Sequence, residues 1–182
     1  MIPEQFVRAL DGFEAVVVGV PADLWDAPSP CEGWSAADVV DHVTDGLRGI
    51  QSLGADGMSE GGSAVDADSL DRWQAARAEL LAVLDAAALT RQVSLPWGAQ
   101  MPLGEYVGRY PLELVVHTWD LAKATGQAVV IDQDLVRDAL ATAVQFAPAG
   151  RAAGMIGPEC VVAEDADDLT RLLAIFGRQV AR

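Results

Sequence analysis

Apolar residues recur at helical spacing along most of this chain, and this pattern constrains the fold more than any other feature. Phe6, Leu10, Phe13 and Val17 are separated by four, three and four residues, so they share one face of a helix. Several such helices joined by mostly short connections predict an all-α fold, a helical bundle. The later apolar stripes consist of Val39, Val43, Leu47 and Ile50; Leu70, Trp73, Leu80 and Leu84; Leu135, Leu140 and Val144; and Leu169, Leu172, Leu173, Phe176 and Val180.

Capping residues predict where several helices begin. Ser35 and Asp38 have the spacing of a capping pair at the start of the second helix. Asp132 and Asp165 are the predicted caps of the last two helices. The helix that follows Asp132 is expected to end near Pro148, since proline removes a backbone donor.

A fourth helix is predicted over residues 103–125, and Gly126 supplies its stop. Pro111 falls inside this range. It either kinks the helix or marks its true beginning.

The connections between the helices differ in character. Residues 21–34 hold three prolines and two tryptophans and are expected to form an ordered loop packed by its aromatic rings. Residues 54–63 are rich in glycine and are the predicted flexible loop. Alternating apolar residues at 93–97 and the apolar residues at 160–162 predict short extended pieces, so at most a short strand pair is expected.

The composition favours a packed globule and excludes several kinds of partner. With 182 residues, 51% of them hydrophobic, the chain can bury a core without staples, and we expect one domain over residues 1–182. Cys31 and Cys160 are the only cysteines and are far apart, so a disulfide framework is not expected. A formal net charge of −15 repels nucleic acid and anionic membranes. Since no signal sequence or membrane-spanning apolar run is recognisable, we predict a cytoplasmic protein.

Two histidines and one glutamate form the pattern most relevant to chemistry. His42 and His117 are the only histidines, and Glu113 precedes His117 by four residues. On a helix this spacing places both side chains on one face, where they can bind one metal ion together. His42 is the only other imidazole available as a third ligand. The alternative from spacing alone is that each histidine bonds to a nearby carboxylate, since Asp38 and Asp45 lie one turn from His42.

Three sequence blocks resemble those of a known family. The residues PCEGWS at 30–35, with His42 eight residues after the tryptophan, are similar to the opening pattern of the DinB-like, mycothiol-dependent maleylpyruvate isomerase N-terminal family. The residues ELVVHTWDLA at 113–122 resemble a stretch of an actinobacterial branch of that family. The residues LLAIFGR at 172–178 resemble the end of the same branch. The blocks occur in the family's order and span nearly the whole chain.

The resemblance implies a DinB-like four-helix bundle with a divalent metal at one end, and the present chain adds C-terminal helices. The isomerase members of the family bind the ion with two histidines and a glutamate, which correspond here to His42, Glu113 and His117. Three nitrogen and oxygen ligands leave one coordination position open, as in catalytic zinc sites. We therefore predict zinc, with nickel as the alternative. The isomerase also has an additional C-terminal domain that contributes to thiol binding, and this chain is expected to be too short to carry it in full.

Four other residues of these blocks could contribute either to the predicted site or to the fold alone. Asp120, three residues after His117, either orients a metal ligand or is a solvated or capping carboxylate. Cys31 is interpreted as a small packing residue rather than as a nucleophile. Trp34 and Trp119 are expected to pack the metal end of the bundle.

The resemblance further implies that a small-molecule thiol such as mycothiol serves as cosubstrate and that an electrophile is its reaction partner. A metal-bound thiol would form a thiolate at neutral pH, and its attack would give S-transfer, or isomerisation if the thiol leaves again. The alternative is a non-catalytic metal-binding or interaction module, which could form a homodimer. A cationic pocket for acidic groups of the thiol would favour the enzyme. Arg48 and Arg109 could attract an anionic ligand, but the sequence does not single them out.

Overall fold

The described part of the chain folds mainly into helices and contains one short pair of strands. The computed structural model describes residues 1–55, 68–95, 98–128 and 130–180. The two strands are antiparallel, with Val93 opposite Met101, so the prediction of an all-α fold with at most a short strand pair is confirmed. Within the described ranges the elements are α1 (Glu4–Val18), α2 (Ala36–Gly54), α3 (Ser69–Val83), α4 (Ala86–Thr90), β1 (Gln92–Ser94), β2 (Gln100–Pro102), α5 (Leu103–Arg109), α6 (Pro111–Ala124), α7 (Gln133–Ala152) and α8 (Asp168–Ile175).

Helix α6 lies at the centre of the bundle. It packs against α1, α2 and α7, while α3 packs against α2 and α8 packs against α7. A helix surrounded in this way also buries its polar side chains, and each of these then needs a partner. The buried residues of α6 are Pro111, Leu112, Leu114, Val115, Val116, His117, Thr118, Asp120, Leu121 and Ala122.

The apolar stripes predicted for the first two helices are confirmed, because every member is fully buried. Trp73 of α3 packs on Phe13 of α1 with ring centroids 4.7 Å apart. Arg77 is the polar residue that interrupts the apolar stripe of α3, and it forms ion pairs with Asp11 and Glu14 of α1. Arg77 therefore links α3 to α1 through ion pairs rather than through apolar packing.

The predicted helix caps are confirmed at two of three positions. The Ser35 hydroxyl accepts from the Asp38 N–H at 3.2 Å, and the Asp38 carboxylate accepts from the Ser35 N–H at 2.8 Å, which completes a capping box. Asp132 caps α7 as expected. The cap predicted at Asp165 is wrong, because Asp167 caps α8 instead. The two carboxylates are equivalent in sequence terms, and the helix begins where its apolar face can meet the core.

The helix predicted over residues 103–125 is divided into α5 and α6. Tyr110 separates the two, and Pro111 is the first residue of α6. Proline suits this position because the first turn of a helix does not use its N–H groups. Pro111 thus marks a beginning rather than a kink. Gly126, with φ of 66°, follows the end of α6 as predicted.

The predicted end of α7 near Pro148 is wrong, since the helix continues to Ala152. Pro148 and Val144, four positions earlier, are both exposed. The carbonyl that loses its partner can therefore be hydrated, and the helix tolerates the proline. Val144 was expected to face the core, but the residue is 58% exposed.

The strand predicted at residues 160–162 does not form. The N–H of Cys160 donates to the carbonyl of Ala174 at the end of α8, and Val161 is 99% exposed. The segment follows a helix end, and none of the strands among the described residues pairs with it. Val180, expected to face the core from the last helix, lies beyond the end of α8 and is 36% exposed.

The connections at residues 21–34 and around Val93 agree with the prediction from the sequence. The loop over residues 21–34 is ordered as predicted, and both of its tryptophans pack against the core. Only the first two residues of the flexible segment predicted at 54–63 are described, and the others lie outside the described residues. The extended piece predicted at 93–97 is confirmed at Val93, whereas Trp97 is outside the described ranges. In the part of the chain that the structure describes, no helix has the length and apolar character that crossing a membrane requires.

Candidate metal centre

The three residues predicted as metal ligands lie together between α2 and α6. His42 is on the second turn of α2, and Glu113 and His117 are on successive turns of α6. Oε2 of Glu113 is 3.4 Å from Nε2 of His117 and 3.9 Å from Nε2 of His42. The donor atoms of the three residues all lie within 4.8 Å of one another. This geometry could allow one ion to contact all three.

The three side chains differ in exposure because α6 is surrounded and the relevant end of α2 is not. The side chain of His117 is 7% exposed, that of Glu113 is 39% exposed and that of His42 is 47% exposed. Trp34 packs beside both imidazoles, with ring centroids 4.8 Å from His42 and 6.1 Å from His117. Trp119 is partly buried against the core. The cluster thus has a buried side at His117 and an accessible side at His42 and Glu113.

Glu113 supplies the negative charge of the cluster and faces both imidazoles. Burial opposes the charge on Glu113, but hydrogen bonds from His117 and His42 outweigh it and hold the pKa of this carboxyl well below its ordinary value. Burial also opposes protonation of His117, yet its contacts with Asp120, Cys31 and Glu113 raise the pKa of the imidazole well above its ordinary value. In the absence of a metal ion, the surrounding groups therefore favour the protonated form of His117.

A second polar cluster, made by Cys31, Asp120 and Arg178, lies on the other side of His117. Asp120 is fully buried, and its Oδ2 is 3.0 Å from Nδ1 of His117. Arg178 donates through Nε to Oδ1 of Asp120 at 3.2 Å and through Nη2 to Oδ2 at 2.8 Å. Sγ of Cys31 is 3.3 Å from Oδ2 of Asp120 and 2.8 Å from Nη2 of Arg178. The interpretation of Asp120 as a solvated or capping carboxylate is therefore wrong, and Cys31 has polar contacts beyond simple packing.

Arg178 provides the opposite charge that a buried carboxylate needs. Burial opposes the charge on Asp120, but hydrogen bonds from His117 and Arg178 outweigh it and lower the pKa of the carboxyl. The pKa of Arg178 is raised in turn, because its pairing with Asp120 exceeds the opposing effect of burial. Each group of the pair thus favours the charged form of the other.

A cavity of about 690 Å³ opens beside the metal-ligand candidates, a volume typical of small-molecule sites. Of the two arginines considered from the sequence, Arg109 lines the cavity and pairs with Glu105, while Arg48 pairs with Asp45. The apolar part of the wall consists of Met101, Leu112, Phe146 and Met155, and the polar part consists of His42, Asp45, Tyr106, Arg109, Tyr110, Glu113, Thr142 and Gln145.

Gly46 shapes the cavity by the side chain it lacks. It lies one turn after His42 on α2, and a Cβ at this position would be 1.9 Å from the hydroxyl oxygen of Tyr110. The absence of a side chain therefore lets the buried Tyr110 pack against α2. Burial, followed by the charge of Glu113, raises the pKa of Tyr110 well above its ordinary value, so this hydroxyl stays protonated.

Sequence reasoning did not identify Arg178, Tyr110 or Phe146 as site residues. Arg178 is present in the third sequence block, but it follows the last helix and no spacing relates it to Asp120. Phe146 lies on the same helix as Val144, whose predicted orientation is wrong. If the exposed face of α7 had been assigned correctly from the sequence, Phe146 could have been recognised as a residue that faces the cavity.

A helical bundle that brings two imidazoles and a carboxylate together beside a small-molecule cavity has the architecture of the DinB-like proteins. The family model described as the mycothiol maleylpyruvate isomerase N-terminal domain matches residues 6–122 of this chain. This match covers more than half of the sequence, and the chain belongs to that family. The matched range includes His42, Glu113, His117 and Asp120, and it ends before Arg178.

Individual proteins support the same assignment. The uncharacterized proteins MT0763 and Rv0738, from two strains of Mycobacterium tuberculosis, are each 30% identical to this chain over 154 residues, which is 75% of this chain and 74% of theirs. The crystal structure of a mutant of the mycothiol-dependent maleylpyruvate isomerase is similar with a TM-score of 0.61 and 15% identity. The similarity covers 91% of this chain and 77% of that one. At this identity the comparison shows a shared fold.

Proposed function

We propose that this protein is a metal-dependent enzyme that uses a low-molecular-weight thiol as cosubstrate, either as an S-transferase or as an isomerase. The ion is held by His42, Glu113 and His117. The observation that carries the proposal is the convergence of three donor atoms within 4.8 Å at the wall of a small-molecule cavity. Two nitrogens and one oxygen form a donor set that suits zinc, with nickel as the alternative. Three protein ligands leave a position for a small molecule.

The proposed reaction joins sulfur to an electrophilic carbon. A divalent ion held by His42, Glu113 and His117 would act as a Lewis acid and would lower the pKa of a bound thiol, so that thiolate forms at neutral pH. The sulfur lone pair forms a carbon–sulfur bond, and the thiol proton passes to solvent. In a transfer, a leaving group departs with the electron pair of its bond to the same carbon. In an isomerisation, the sulfur adds to a carbon–carbon double bond, and the π electrons move onto a conjugated carbonyl oxygen. After rotation about the new carbon–carbon single bond, these electrons re-form the double bond and the thiolate leaves.

The cavity wall gives the electrophile an apolar surface and two hydroxyl donors. Met101 and Phe146 provide apolar contact and exclude water. Burial and the charge of Glu113 raise the pKa of both Tyr106 and Tyr110, so their hydroxyls remain protonated. Each can donate a hydrogen bond to an oxygen of the electrophile, which stabilises negative charge that develops there.

We propose mycothiol as the thiol, because the names of the matching family and of the structure with the shared fold include it. The matching family is named for a mycothiol maleylpyruvate isomerase, and the structure with the shared fold is described as mycothiol-dependent. A cavity of about 690 Å³ is in the range that holds small molecules of this kind. We place the reaction in the cytoplasm, where free thiols are kept reduced.

Elemental analysis of the untagged protein tests the metal centre directly. We expect about one equivalent of zinc or a similar ion per chain, as for a site with one set of ligands. A variant with both His42→Ala and His117→Ala should lose it. Asp45→Asn is the matched control, because Asp45 lines the same cavity and lies one turn from His42 outside the ligand set.

Metal-loaded protein should then be assayed for loss of free mycothiol in the presence of a panel of electrophiles. Metal-dependent consumption that the double histidine variant abolishes would support the enzyme. A protein that takes up neither zinc nor nickel would refute the metal centre. A protein that holds the metal but never consumes a thiol would instead fit the non-catalytic metal-binding module.

A further inference from the structure

We infer that Asp120 and Arg178 form a positioning pair that fixes the orientation of His117 in the metal centre. This inference rests on the proposed function and adds two residues to the three of the ligand set, one of which, Arg178, lies outside the range that the family model matches. Asp120 acts on His117 directly, and Arg178 acts on Asp120. Neither side chain is assigned contact with the ion or with the substrate.

The two ring nitrogens of His117 face different partners. Nε2 lies 3.4 Å from Glu113, on the side of the metal-ligand candidates, whereas Nδ1 lies 3.0 Å from Oδ2 of Asp120. An imidazole that binds a metal through Nε2 carries its proton on Nδ1 and donates it to an acceptor. Asp120 is that acceptor. Its contact selects the nitrogen that binds the ion and fixes the plane of the ring.

Arg178 holds Asp120 in the geometry that this contact requires. Its guanidinium binds both carboxylate oxygens, through Nε at 3.2 Å and through Nη2 at 2.8 Å. Nη1 donates to the carbonyl of Phe176 at 2.8 Å, so the guanidinium itself is fixed. A two-point pairing restricts rotation of the carboxylate as well as balancing its charge. Because Asp120 is fully buried, water cannot replace this partner.

The turn at the end of α8 places Arg178 beside Asp120. Gly177 has φ of 76°, its N–H donates to the carbonyl of Ala174, and the N–H of Arg178 donates to the carbonyl of Leu173. These two hydrogen bonds define a Schellman motif, which reverses the chain direction at a helix end. Arg178 therefore points back into the bundle instead of continuing along the helix axis.

The three sequence blocks described above meet in this cluster. Cys31 comes from residues 30–35, Asp120 comes from residues 113–122, and Arg178 comes from residues 172–178. The ligand set draws on only the second of these ranges and on His42. A shared role in holding His117 accounts for why the third block belongs to the site although it contributes no metal ligand.

The affinity of the metal-free protein for Co²⁺ tests whether Asp120 and Arg178 position His117. Metal-free protein would be titrated with Co²⁺ against a chromophoric chelator, with Arg178→Met, Asp120→Asn and the double variant compared with the wild type. We expect each single variant to weaken Co²⁺ binding by about 10- to 100-fold, as for other residues that orient a metal ligand. The double variant should be little weaker than either single variant, since both act through one contact. Arg178→Lys should recover only part of the loss, because lysine cannot pair with two oxygens at once.

Arg151→Met is the matched control. Arg151 is also a partly exposed arginine that ties down the C-terminal part of the chain, through Glu159 and the carbonyl of Ile175. Its replacement should change stability without changing Co²⁺ affinity. If Arg178→Met or Asp120→Asn folds and binds Co²⁺ as tightly as the wild type, the inference is overturned. If Arg178→Met does not fold, Asp120→Asn decides.

A measurement on metal-free protein separates this inference from the proposed function. In nitrogen-15 and proton NMR spectra, the Nδ1 proton of His117 should be observed at low field, because it is hydrogen-bonded and buried. The signal should disappear through exchange with water in Arg178→Met and persist in Arg151→Met. Failure of the wild type to bind any metal would refute the proposed function alone. A His117 signal that is identical in both variants would refute the positioning pair alone.

Discussion

At the scale of single residues, His117 is where a proton and a metal ion compete. In the metal-free protein its contacts with Asp120, Cys31 and Glu113 raise the pKa of the imidazole well above the ordinary value despite the opposing effect of burial. The imidazole is therefore protonated below this raised pKa, and metal binding must displace the proton. A group that binds metal only when deprotonated loses apparent affinity as the pH falls.

We expect the apparent Kd for Co²⁺ to increase by about tenfold for each unit that the pH falls below the raised pKa, since one proton is displaced. The dependence should flatten above that pKa. Titration calorimetry in buffers of different ionisation enthalpy would count the released protons. An affinity that is constant from mildly acidic to mildly alkaline pH would contradict both the assignment of His117 as a ligand and the direction of its pKa change.

Gly46 leaves room on α2 for the ring of Tyr110. Gly46→Ala places a Cβ 1.9 Å from the Tyr110 hydroxyl oxygen and 3.1 Å from the adjacent ring carbon, so Tyr110 must shift. We expect the free energy of unfolding to decrease by about 1–3 kcal/mol, as for other overpacked sites. Chemical denaturation would measure it. Adding Tyr110→Phe should recover much of the loss, because the closest atom is then absent.

Gly49→Ala is the control for this substitution. Gly49 lies on the same helix, and a Cβ there would meet no atom within 4 Å. Replacement of an unconstrained helical glycine should increase stability by up to about 1 kcal/mol. Equal effects of the two substitutions would show that Tyr110 does not pack against α2 as described.

The sequence could predict the ligand candidates but not the residues that surround them. Glu113 and His117 are one helical turn apart, so local geometry relates them, and the scarcity of histidine left His42 as the partner. Arg178 reaches Asp120 across 58 positions of sequence. Such a contact depends on how α8 packs against α7, which no local spacing encodes.

At the scale of elements, the start of α2 carries the clearest local signal. Ser35→Ala removes the hydroxyl that accepts from the Asp38 N–H, so we expect the free energy of unfolding to decrease by about 1 kcal/mol. Thermal or chemical denaturation would measure the effect. Ser52→Ala is the comparison on the same helix, because its hydroxyl donates to the Arg48 carbonyl within the helix and contributes little. A loss at Ser52 as large as that at Ser35 would argue against the capping box.

Helix existence was predictable, whereas several helix ends were not. The stripes of α1 and α2 repeat over several turns and admit one interpretation. The beginning of α8 depended on a choice between Asp165 and Asp167, which offer the same carboxylate. The end of α7 depended on whether Pro148 faces solvent, since an exposed proline leaves a carbonyl that water can satisfy. Such choices are made by tertiary packing.

At the scale of the whole molecule, the formal net charge of −15 sets up a field that attracts cations. We expect the association rate of Co²⁺ with the metal-free protein to decrease as ionic strength increases, because salt screens this field. Stopped-flow measurements in a non-coordinating salt would test it, with an equal osmolality of sucrose as the control. A rate that is insensitive to salt would mean that only the local acids attract the ion.

The fold class followed from the sequence because helical spacing pervades the chain, and the family assignment followed from three blocks. The arrangement of helices around α6 did not follow, since it depends on which faces of several helices meet. The expectation that residues 1–182 form one domain stays a prediction. The meeting of the three blocks at one cluster is likewise a property of the assembled fold.

Trp34 lies so close to the metal-ligand candidates that its fluorescence should report metal binding. The indole lies within 4.8 Å of one imidazole and 6.1 Å of the other, measured between ring centroids. Paramagnetic ions such as Ni²⁺ or Co²⁺ bound between those imidazoles would quench its fluorescence, whereas Zn²⁺ would leave the emission bright. The chain has five tryptophans, so subtraction of the signal of a Trp34→Phe variant would isolate the reporter. Occupancy and metal identity could then be read in real time without any added dye.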